Sequence, residues 1–308
     1  MVSLPWRMGR AIFGTPVVVQ ANRALEEDLG RKPSRAELGR ELMVRAVGRA
    51  LGRPEAGDLV FHCNICDHPA HAPLGQFTRE KPTCGHCGST VRWRAIVHVL
   101  SQALFGQDLR LSQLPRRPDL VGLGLTDWRG YAEPLSRRFS YTNTYYHCEP
   151  RLDILDVEPA RRHSADFLIS SEVFEHVPPP ASRAFTGAAE ILKPGGLLLL
   201  TVPYVTTSQP TIEHYPTLHS FHIEQTADGP VLLNTRVDGV EERFENPLFH
   251  DGLGLTLEMR VFSRDSLTAE LLAAGFEDVK FWDQTCHPHG IVWQDQAHLP
   301  VTARRPRS

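Results

Sequence analysis

The chain has 308 residues, of which 41% are hydrophobic and 22% are charged, and its net charge is −3 at pH 7. This length accommodates one large domain, or one domain with appendages. A charge so close to zero gives no overall argument for nucleic acid or an anionic membrane as a partner. No apolar run reaches the roughly 18 residues that span a bilayer, so we expect no membrane span.

The amino-terminal residues and the six cysteines bear on the compartment. The opening sequence MVSLPWRMGRAIFG lacks a clean apolar core and a cleavage site, so we expect no signal peptide. Four of the cysteines form two close pairs, which suits a metal site in a reducing compartment better than a disulfide framework. We therefore expect a cytoplasmic protein.

Residues 1–56 are predicted to form a helical arm. Thr15-Pro16 supplies an N-cap and a proline at the first helical position. Ser34 with Glu37 matches a capping box before a second helix. The apolar spacing favours a packing or dimerisation arm, with a membrane-surface or partner-binding helix as the alternative, and it leaves the oligomeric state open.

Residues 57–92 hold the two cysteine pairs. Cys63 and Cys66 are separated from Cys84 and Cys87 by 17 residues, which is the spacing of a zinc ribbon or a related knuckle. Zn²⁺ prefers four thiolates in a tetrahedron, so the pattern predicts a structural zinc with a closed ligand shell. The alternative is a small core that contains four reduced cysteines.

Other residues of this module leave further alternatives open. A histidine, His68 or His86, could replace one cysteine as a ligand. Zinc ribbons also bind nucleic acid, and basic residues flank Trp93 here. These are Arg79, Lys81, Arg92 and Arg94. The patch is modest and favours a solvated face over an RNA-binding surface.

Residues 93–118 are predicted to be a linker helix with its continuation. The helix itself is expected from Ser89 to about Leu104, and a proline-rich linker follows it. From 119 to 308, short apolar runs alternate with helical patterns, which is typical of strand–helix–strand units in an α/β sheet. The predicted strands cover 119–125, 139–146, 152–155, 167–169, 197–202, 279–282 and 291–293. The predicted helices cover 130–137, the segment between the prolines at 178–180 and Lys193, and 263–275.

Three sequence phrases resemble the class I S-adenosylmethionine-dependent methyltransferases. ADFLISSEVFEHV is similar to the fourth strand and following loop of that superfamily, and EILKPGGLLLLTVP to the next helix, turn and strand. CGHCGSTVRWRAIVHVL resembles bacterial members that carry a cysteine module before the catalytic domain. The resemblance implies a Rossmann-like methyltransferase sheet with an N-terminal helical arm and a small zinc-binding module. It also implies S-adenosylmethionine as cofactor.

The same resemblance implies a set of cofactor-binding residues at the carboxyl ends of the strands. If Gly130 takes the place of the last glycine of the first turn, Thr126 and Trp128 stand where earlier glycines are expected, and Gly122 and Gly124 lie inside the strand. The implied contacts are Thr126, Asp127, Gly130, Glu149, Asp153, Ser171 and Glu172. Asn143 is the alternative to Glu149 and Asp156 the alternative to Asp153, while Phe174 would flank the transferred methyl group.

Residues 205–262 are predicted to be an insertion that contains a β-meander. It holds histidines among aromatic and acidic residues, in wording that resembles a bacterial subgroup of the family. A histidine there could act as general base toward a hydroxyl substrate, and we rank His214 first and His250 second. Further on, Cys286, His287 and His289 form only a weak metal pattern, so the sequence favours a plain loop.

The favoured function is an S-adenosylmethionine-dependent methyltransferase that acts on a small-molecule or saccharide acceptor. The degenerate first turn supports a second hypothesis, a non-catalytic binding protein with the methyltransferase fold. The third is a nucleic-acid methyltransferase guided by the zinc module. Salt-dependent retention of RNA or DNA would distinguish the third, because phosphate contacts weaken with ionic strength.

Overall fold

The computed structural model describes residues 57–206, 210–250, 256–294 and 296–307. The predicted arm, residues 1–56, lies outside the described residues. Within the described ranges, no helix is both long and apolar enough to cross a membrane.

The cysteine module begins with an antiparallel hairpin and leads into a long helix. Strands β1 (Asp58–His62) and β2 (Pro69–Pro73) pair along their full length. Helix α1 (Val91–Phe105) follows, and the side chain of Thr90 caps it by accepting from the backbone N–H of Trp93. Gly106 ends the helix in the left-handed conformation, with φ of 65°.

The chain then alternates between strands and helices, as predicted. The elements are β3 (Arg117–Leu125), α2 (Arg129–Ser136), β4 (Phe139–Thr144), β5 (Ala165–Ser171), α3 (Ser182–Ile191) and β6 (Leu192–Thr201). Both glycines of β3 lie inside the strand. An added Cβ on Gly122 would lie 2.1 Å from the Phe167 ring, so the absence of a side chain at Gly122 allows this ring to contact the backbone of β3.

The insertion consists of short strands and the predicted meander. Its strands are β7 (Tyr204–Val205), β8 (Ile212–Glu213), β9 (Ser220–Thr226), β10 (Gly229–Thr235), β11 (Glu241–Glu245), β12 (Phe249–His250), β13 (Thr256–Leu257) and β14 (Arg260–Ser263). The meander is the antiparallel sheet β11-β10-β9. After it, β14 pairs with both β7 and β8 and leads directly into the next helix.

Helix α4 (Arg264–Ala273) and strands β15 (Glu277–Phe281) and β16 (Val301–Arg304) complete the main sheet. The strand order is β15-β16-β6-β5-β3-β4. The four strands from β3 to β6 are parallel, whereas β15 and β16 run antiparallel to their neighbours. This confirms the predicted Rossmann-like fold, and it places the carboxyl ends of four strands along one edge.

Two predicted strands are wrong. No strand forms at 152–155, because the Asp153 carboxylate accepts the N–H of Leu155 at 3.0 Å and bends the chain into a turn. The predicted strand at 291–293 is reduced to one bridge between Ile291 and Cys286, and the closing strand is β16 instead.

The sheet is covered on both faces. Helices α3 and α4 pack on one face, in a core that includes Phe185, Leu198 and Leu271. Helix α1 covers the other face, where Ile96 and Leu100 share a core with strand residues and with the cysteine module. The module is therefore part of the main hydrophobic core, and its position relative to the sheet edge is fixed by packing.

Candidate functional site

Polar residues gather where β5 and β6 end. β5 stops at Ser171, and the next residue, Glu172, adopts the left-handed conformation with φ of 56°. Its backbone N–H donates to the carbonyl of Thr201, the last residue of β6, at 2.9 Å. The Thr201 and Ser171 hydroxyl oxygens lie 3.1 Å apart. Ser171 and Glu172 thus stand at the sheet edge where ligands bind in this class of fold.

Two arginines of the cysteine module contact this edge. Arg79 donates through both terminal nitrogens to the Glu172 carboxylate, with one contact at 3.0 Å. Arg92 donates to the Ser171 hydroxyl and forms a two-point pair with Glu80 at 2.7 and 2.8 Å. Charge-assisted hydrogen bonds therefore hold the module against the ends of the strands.

Glu172 carries a fixed negative charge in spite of its burial. Burial would raise the pKa of its carboxyl, but the adjoining Arg79 guanidinium, with Arg92 behind it, lowers that pKa to about 2. The carboxylate remains ionised throughout the neutral range. Among the predicted cofactor contacts, and within the described residues, only Glu172 forms an ion pair with a residue that is distant in the chain.

Glu175 is a second buried acid close to Glu172. Its side chain is fully buried, and among the described residues neither of its oxygens has a hydrogen-bond partner. Burial, and then the charge of Glu172, raises the pKa of this carboxyl well above its ordinary value. Its oxygens keep unused hydrogen-bonding capacity. The available signal was the phrase EVFEHV, in which one acid follows another by three residues.

The turn after β3 is filled by side chains where glycines were expected. The indole of Trp128 stacks on that of Trp93 of α1, with centroids 4.0 Å apart and planes 8° from parallel. An added Cβ on Gly130 would lie 2.2 Å from the Trp128 ring, so this glycine makes room for the indole. Thr126 takes the left-handed conformation with φ of 57°.

Asp127 lies beneath this turn, and its carboxyl is fully engaged. It accepts from the hydroxyl of Tyr131 at 2.7 Å and from that of Tyr141. Gly124 makes the space, since an added Cβ there would lie 2.3 Å from an Asp127 oxygen. Burial raises the pKa of Asp127 to about 7, in opposition to the two tyrosine hydrogen bonds. Asn143 bonds both backbone groups of Asp127 at 2.8 Å, which explains its position at the end of β4.

Glu149 and Asp153 follow β4 beyond the same sheet edge. Glu149 is exposed and accepts the N–H of Arg151 at 2.9 Å. Asp153 is 17% exposed, and one of its oxygens lies 3.5 Å from the Arg151 guanidinium. Asp156 is exposed. Asp153 is therefore the better shielded of the two alternatives for the third acid.

The insertion is attached to the loop after β5 by backbone and side-chain bonds. The carbonyl of Glu175 accepts the N–H of Met259, and the carbonyl of Met259 accepts the N–H of His214 at 2.8 Å. The fully buried Arg260 donates to Glu213 at 2.6 Å and to the Phe174 carbonyl at 2.9 Å. This region of the insertion is thus bonded to the loop that follows Ser171 and Glu172.

His214 lies at this junction with an acidic partner. Its Nε2 is 3.3 Å from a carboxylate oxygen of Glu258, and its side chain is 17% exposed. His250, the second predicted base, ends β12, and its side chain lies outside the described part of the structure.

The four predicted zinc ligands converge in the module. The sulfurs of Cys63 and Cys87 are 3.8 Å apart, those of Cys66 and Cys84 are 3.7 Å apart, and all four lie within 4.8 Å of one another. Four thiolates bound to Zn²⁺ at about 2.3 Å in a tetrahedron would be separated by about 3.8 Å. The geometry suits a tetrahedral four-sulfur metal site.

Comparisons with known proteins place the central residues in one family. A family described as a methyltransferase domain matches residues 131–280. No curated protein matches the chain. Among solved structures, similar ones include 1,6-didemethyltoxoflavin-N1-methyltransferase from Burkholderia thailandensis, at 14% identity over 69% of this chain and 78% of that chain, with a TM-score of 0.37. An amino pentose methyltransferase from Micromonospora echinaspora is 16% identical over 71% of this chain and 92% of that one, with a TM-score of 0.39.

The buried carboxyl of Asp127 predicts a specific pH dependence of stability. Because its pKa rises from 3.8 to about 7 on folding, the folded state binds this proton more tightly. Its contribution to stability is complete below about pH 4 and is lost as the pH rises to about 7. Relative to wild type, Asp127→Asn should therefore become more stable between pH 4 and pH 7.5, as measured by urea unfolding. Asp119→Asn, at the opposite sheet edge, is the control, and a constant wild-type-to-Asp127→Asn difference across this range would contradict the assignment.

Proposed function

We propose that the chain is a class I S-adenosylmethionine-dependent methyltransferase that methylates a hydroxyl group of a small molecule or a saccharide, and the match of residues 131–280 to a methyltransferase domain supports this. The observation that carries this proposal is the junction between the β5 loop and the insertion. There, the backbone bonds of Met259 bring the His214–Glu258 pair beside the loop that bears Ser171 and Glu172. A donor crevice and a candidate acceptor base thus adjoin each other.

The groups at the sheet edge suit the charges of S-adenosylmethionine. The ionised Glu172 is suited to its cationic ammonium and sulfonium groups. Arg79 and Arg92 are suited to its carboxylate. Asp153 is proposed to accept from the adenine amino group, and Glu149 to bond a ribose hydroxyl. Asp153 and Glu149 both follow the end of β4 in the chain.

The turn after β3 has a different proposed role. The carboxyl of Asp127 already accepts hydrogen bonds from two tyrosines. We therefore propose that it stabilises the conformation of the turn and does not contact the cofactor directly. Thr126 and Gly130 would then approach the cofactor through their backbone. The stacked pair of Trp93 and Trp128 would close the crevice on this side.

The reaction requires positioning more than acid–base chemistry. S-adenosylmethionine, when bound, supplies a methyl group that is already activated. The chain's own residues must then orient the acceptor oxygen in line and exclude water, and such positioning accounts for a large share of the rate. Neutral His214, which can donate its Nε2–H to the Glu258 carboxylate, can take the hydroxyl proton on Nδ1, and Glu258 can stabilise the resulting imidazolium.

We further propose that the four cysteines bind one structural Zn²⁺. A tetrathiolate zinc centre carries two net negative charges, and the guanidinium of Arg94 lies buried beside it. Arg94 donates to neutral oxygens of Ser89, Thr83 and Gly290 at 2.7 to 2.9 Å. The thiolates would therefore balance a cation that these neutral acceptors leave uncompensated.

Loss of one cysteine should remove this zinc. Cys84→Ser should lower the zinc content by one ion per chain and lower the thermal midpoint, because the module shares its core with α1 and the sheet. Elemental analysis of the purified chain measures the first effect and calorimetry the second. Cys148→Ser, at an exposed cysteine outside the cluster, is the matched control. Unchanged zinc content and stability in Cys84→Ser would refute the site.

Substitution of His214 should affect turnover and spare cofactor binding. A screen of sugars, phenols and nucleic acids for methyl transfer identifies the acceptor first. His214→Ala should then lower kcat by about 10² to 10⁴, the usual contribution of a general base, and change affinity for S-adenosylhomocysteine by less than about twofold. The matched control is His222→Ala, since His222 forms an exposed pair with Glu224 at 3.2 Å on the meander.

Normal turnover in His214→Ala would assign the base elsewhere, with His250 as the next candidate. Transfer to nucleic acid, but not to sugars or phenols, would favour the nucleic-acid alternative.

A further inference from the structure

A second group of metal-binding side chains lies outside the four-cysteine cluster. Its members come from α1, from the loop after α1 and from the loop before β16. They are His98, Asp108, Cys286 and His289. The carboxylate of Asp108 stands at the centre, 2.7 Å from His98 Nδ1, 3.3 Å from His289 Nε2 and 3.5 Å from Cys286 Sγ.

From this arrangement, we propose that His98, Asp108, Cys286 and His289 form a second Zn²⁺ site. One thiolate, two imidazoles and one carboxylate are all ligand types that zinc accepts. Four such donors close the tetrahedral shell, so the site would be structural.

The backbone around Cys286 repeats the turns of the four-cysteine cluster. In all three turns, the first ligand is followed three residues later by the second, and its N–H donates to the carbonyl five residues ahead. These bonds join Cys63 to His68 at 3.0 Å, Cys84 to Ser89 at 3.3 Å and Cys286 to Ile291 at 2.8 Å.

The residue after the second ligand is left-handed each time. The residues are Asp67 with φ of 61°, Gly88 with φ of 73° and Gly290 with φ of 64°. The Cys286–His289 turn thus has the fold of a metal-binding knuckle. The sequence alone had favoured a plain loop there, since the pattern shows one cysteine and no partner pair.

The hydrogen bonding of His289 directs one ring nitrogen toward the group. Its Nδ1 lies 2.9 Å from the carbonyl of His62, which can only accept, so Nδ1 carries a hydrogen. In a neutral ring, the Nε2 lone pair then faces an oxygen of Asp108 at 3.3 Å. A proton or a metal ion between the two groups satisfies this contact. A backbone carbonyl that orients a ligating histidine is also the usual outer-shell partner of a metal site.

The donor atoms of His98, Asp108 and Cys286 all lie within 4.8 Å of one another, and His289 has to move closer to complete the shell. Zinc bonds of about 2.0 to 2.3 Å place tetrahedral donors about 3.2 to 3.8 Å apart. The His289–Asp108 and Cys286–Asp108 separations already lie in that range, whereas the His98–Asp108 hydrogen bond has to lengthen by about half an ångström. The His289 side chain is 7% exposed and that of His98 is 14% exposed, whereas the central Asp108 is 33% exposed, so the group lies at the protein surface with its two histidines shielded.

The location gives the second ion a structural purpose. It would tie α1 to the carboxy-terminal loop at the place where buried Arg94 already joins the Ser89 and Gly290 carbonyls. Both metal sites would then clamp the same module onto the sheet. This inference does not depend on the identity of the methyl acceptor.

Metal content of the full chain tests the inference. Protein reconstituted with zinc under reducing, oxygen-free conditions and freed of excess metal should hold two zinc ions per chain. Cys286→Ser should hold one, and so should His98→Asn, a second variant that leaves the knuckle turn intact. Cys148→Ser should retain two ions. In Co²⁺-substituted protein, Cys286→Ser should lose the sulfur-to-metal absorption of one centre and retain that of the four-thiolate centre.

One zinc ion per chain in wild type that persists in Cys286→Ser would overturn the proposal, whether or not the variants fold well. Two ions retained in folded Cys286→Ser and His98→Asn would overturn it equally. A single wild-type ion that disappears in Cys286→Ser would support the second site and refute the four-cysteine one.

Discussion

The ion pair between Arg79 and Glu172 joins two distant parts of the chain at the sheet edge. Glu172 stands at the end of β5, and Arg79 belongs to the loop between the two cysteine pairs. Both partners are largely shielded from water. Arg79 also contacts the Glu80 carboxylate, whereas loss of Arg79 would remove the main partner of the buried Glu172 charge, at a cost of about 3–5 kcal/mol. This contact adds a charge pair to the hydrophobic packing that positions the cysteine module at the sheet edge.

Other features of the crevice are consistent with that constraint. Once the module lies on the edge, α1 brings Trp93 onto Trp128 and Arg92 onto Ser171. The turn after β3 carries Trp128 where the resemblance implies a glycine, and the Trp93 indole of α1 covers this side chain. The turn after β3 and helix α1 are therefore joined at the sheet edge by stacked side chains.

The sequence predicted the parallel strands and the edge at which the site lies, because apolar runs and their polar ends are local signals. Ser171 and Glu172 could be assigned in this way. The partner of Glu172 could not, since Arg79 lies 93 residues away and no local periodicity reports such a pair. The prediction of a strand at 152–155 was wrong because the Asp153 carboxylate accepts the backbone N–H of Leu155 and forms a turn there. Gly130 was predicted as a cofactor contact, and the structure shows that the absence of a side chain there accommodates Trp128.

The most direct test of the account is calorimetric titration of S-adenosylhomocysteine into the wild-type chain and Glu172→Gln. If the crevice at the end of β5 binds the cofactor, wild type should bind one equivalent. Loss of a charged acceptor costs about 1.5–3 kcal/mol, so Glu172→Gln should bind about tenfold or more weakly. Asp119→Asn, at the opposite edge of the sheet, should bind as wild type does. Absence of binding to wild type, or unchanged affinity in a folded Glu172→Gln, would contradict the account.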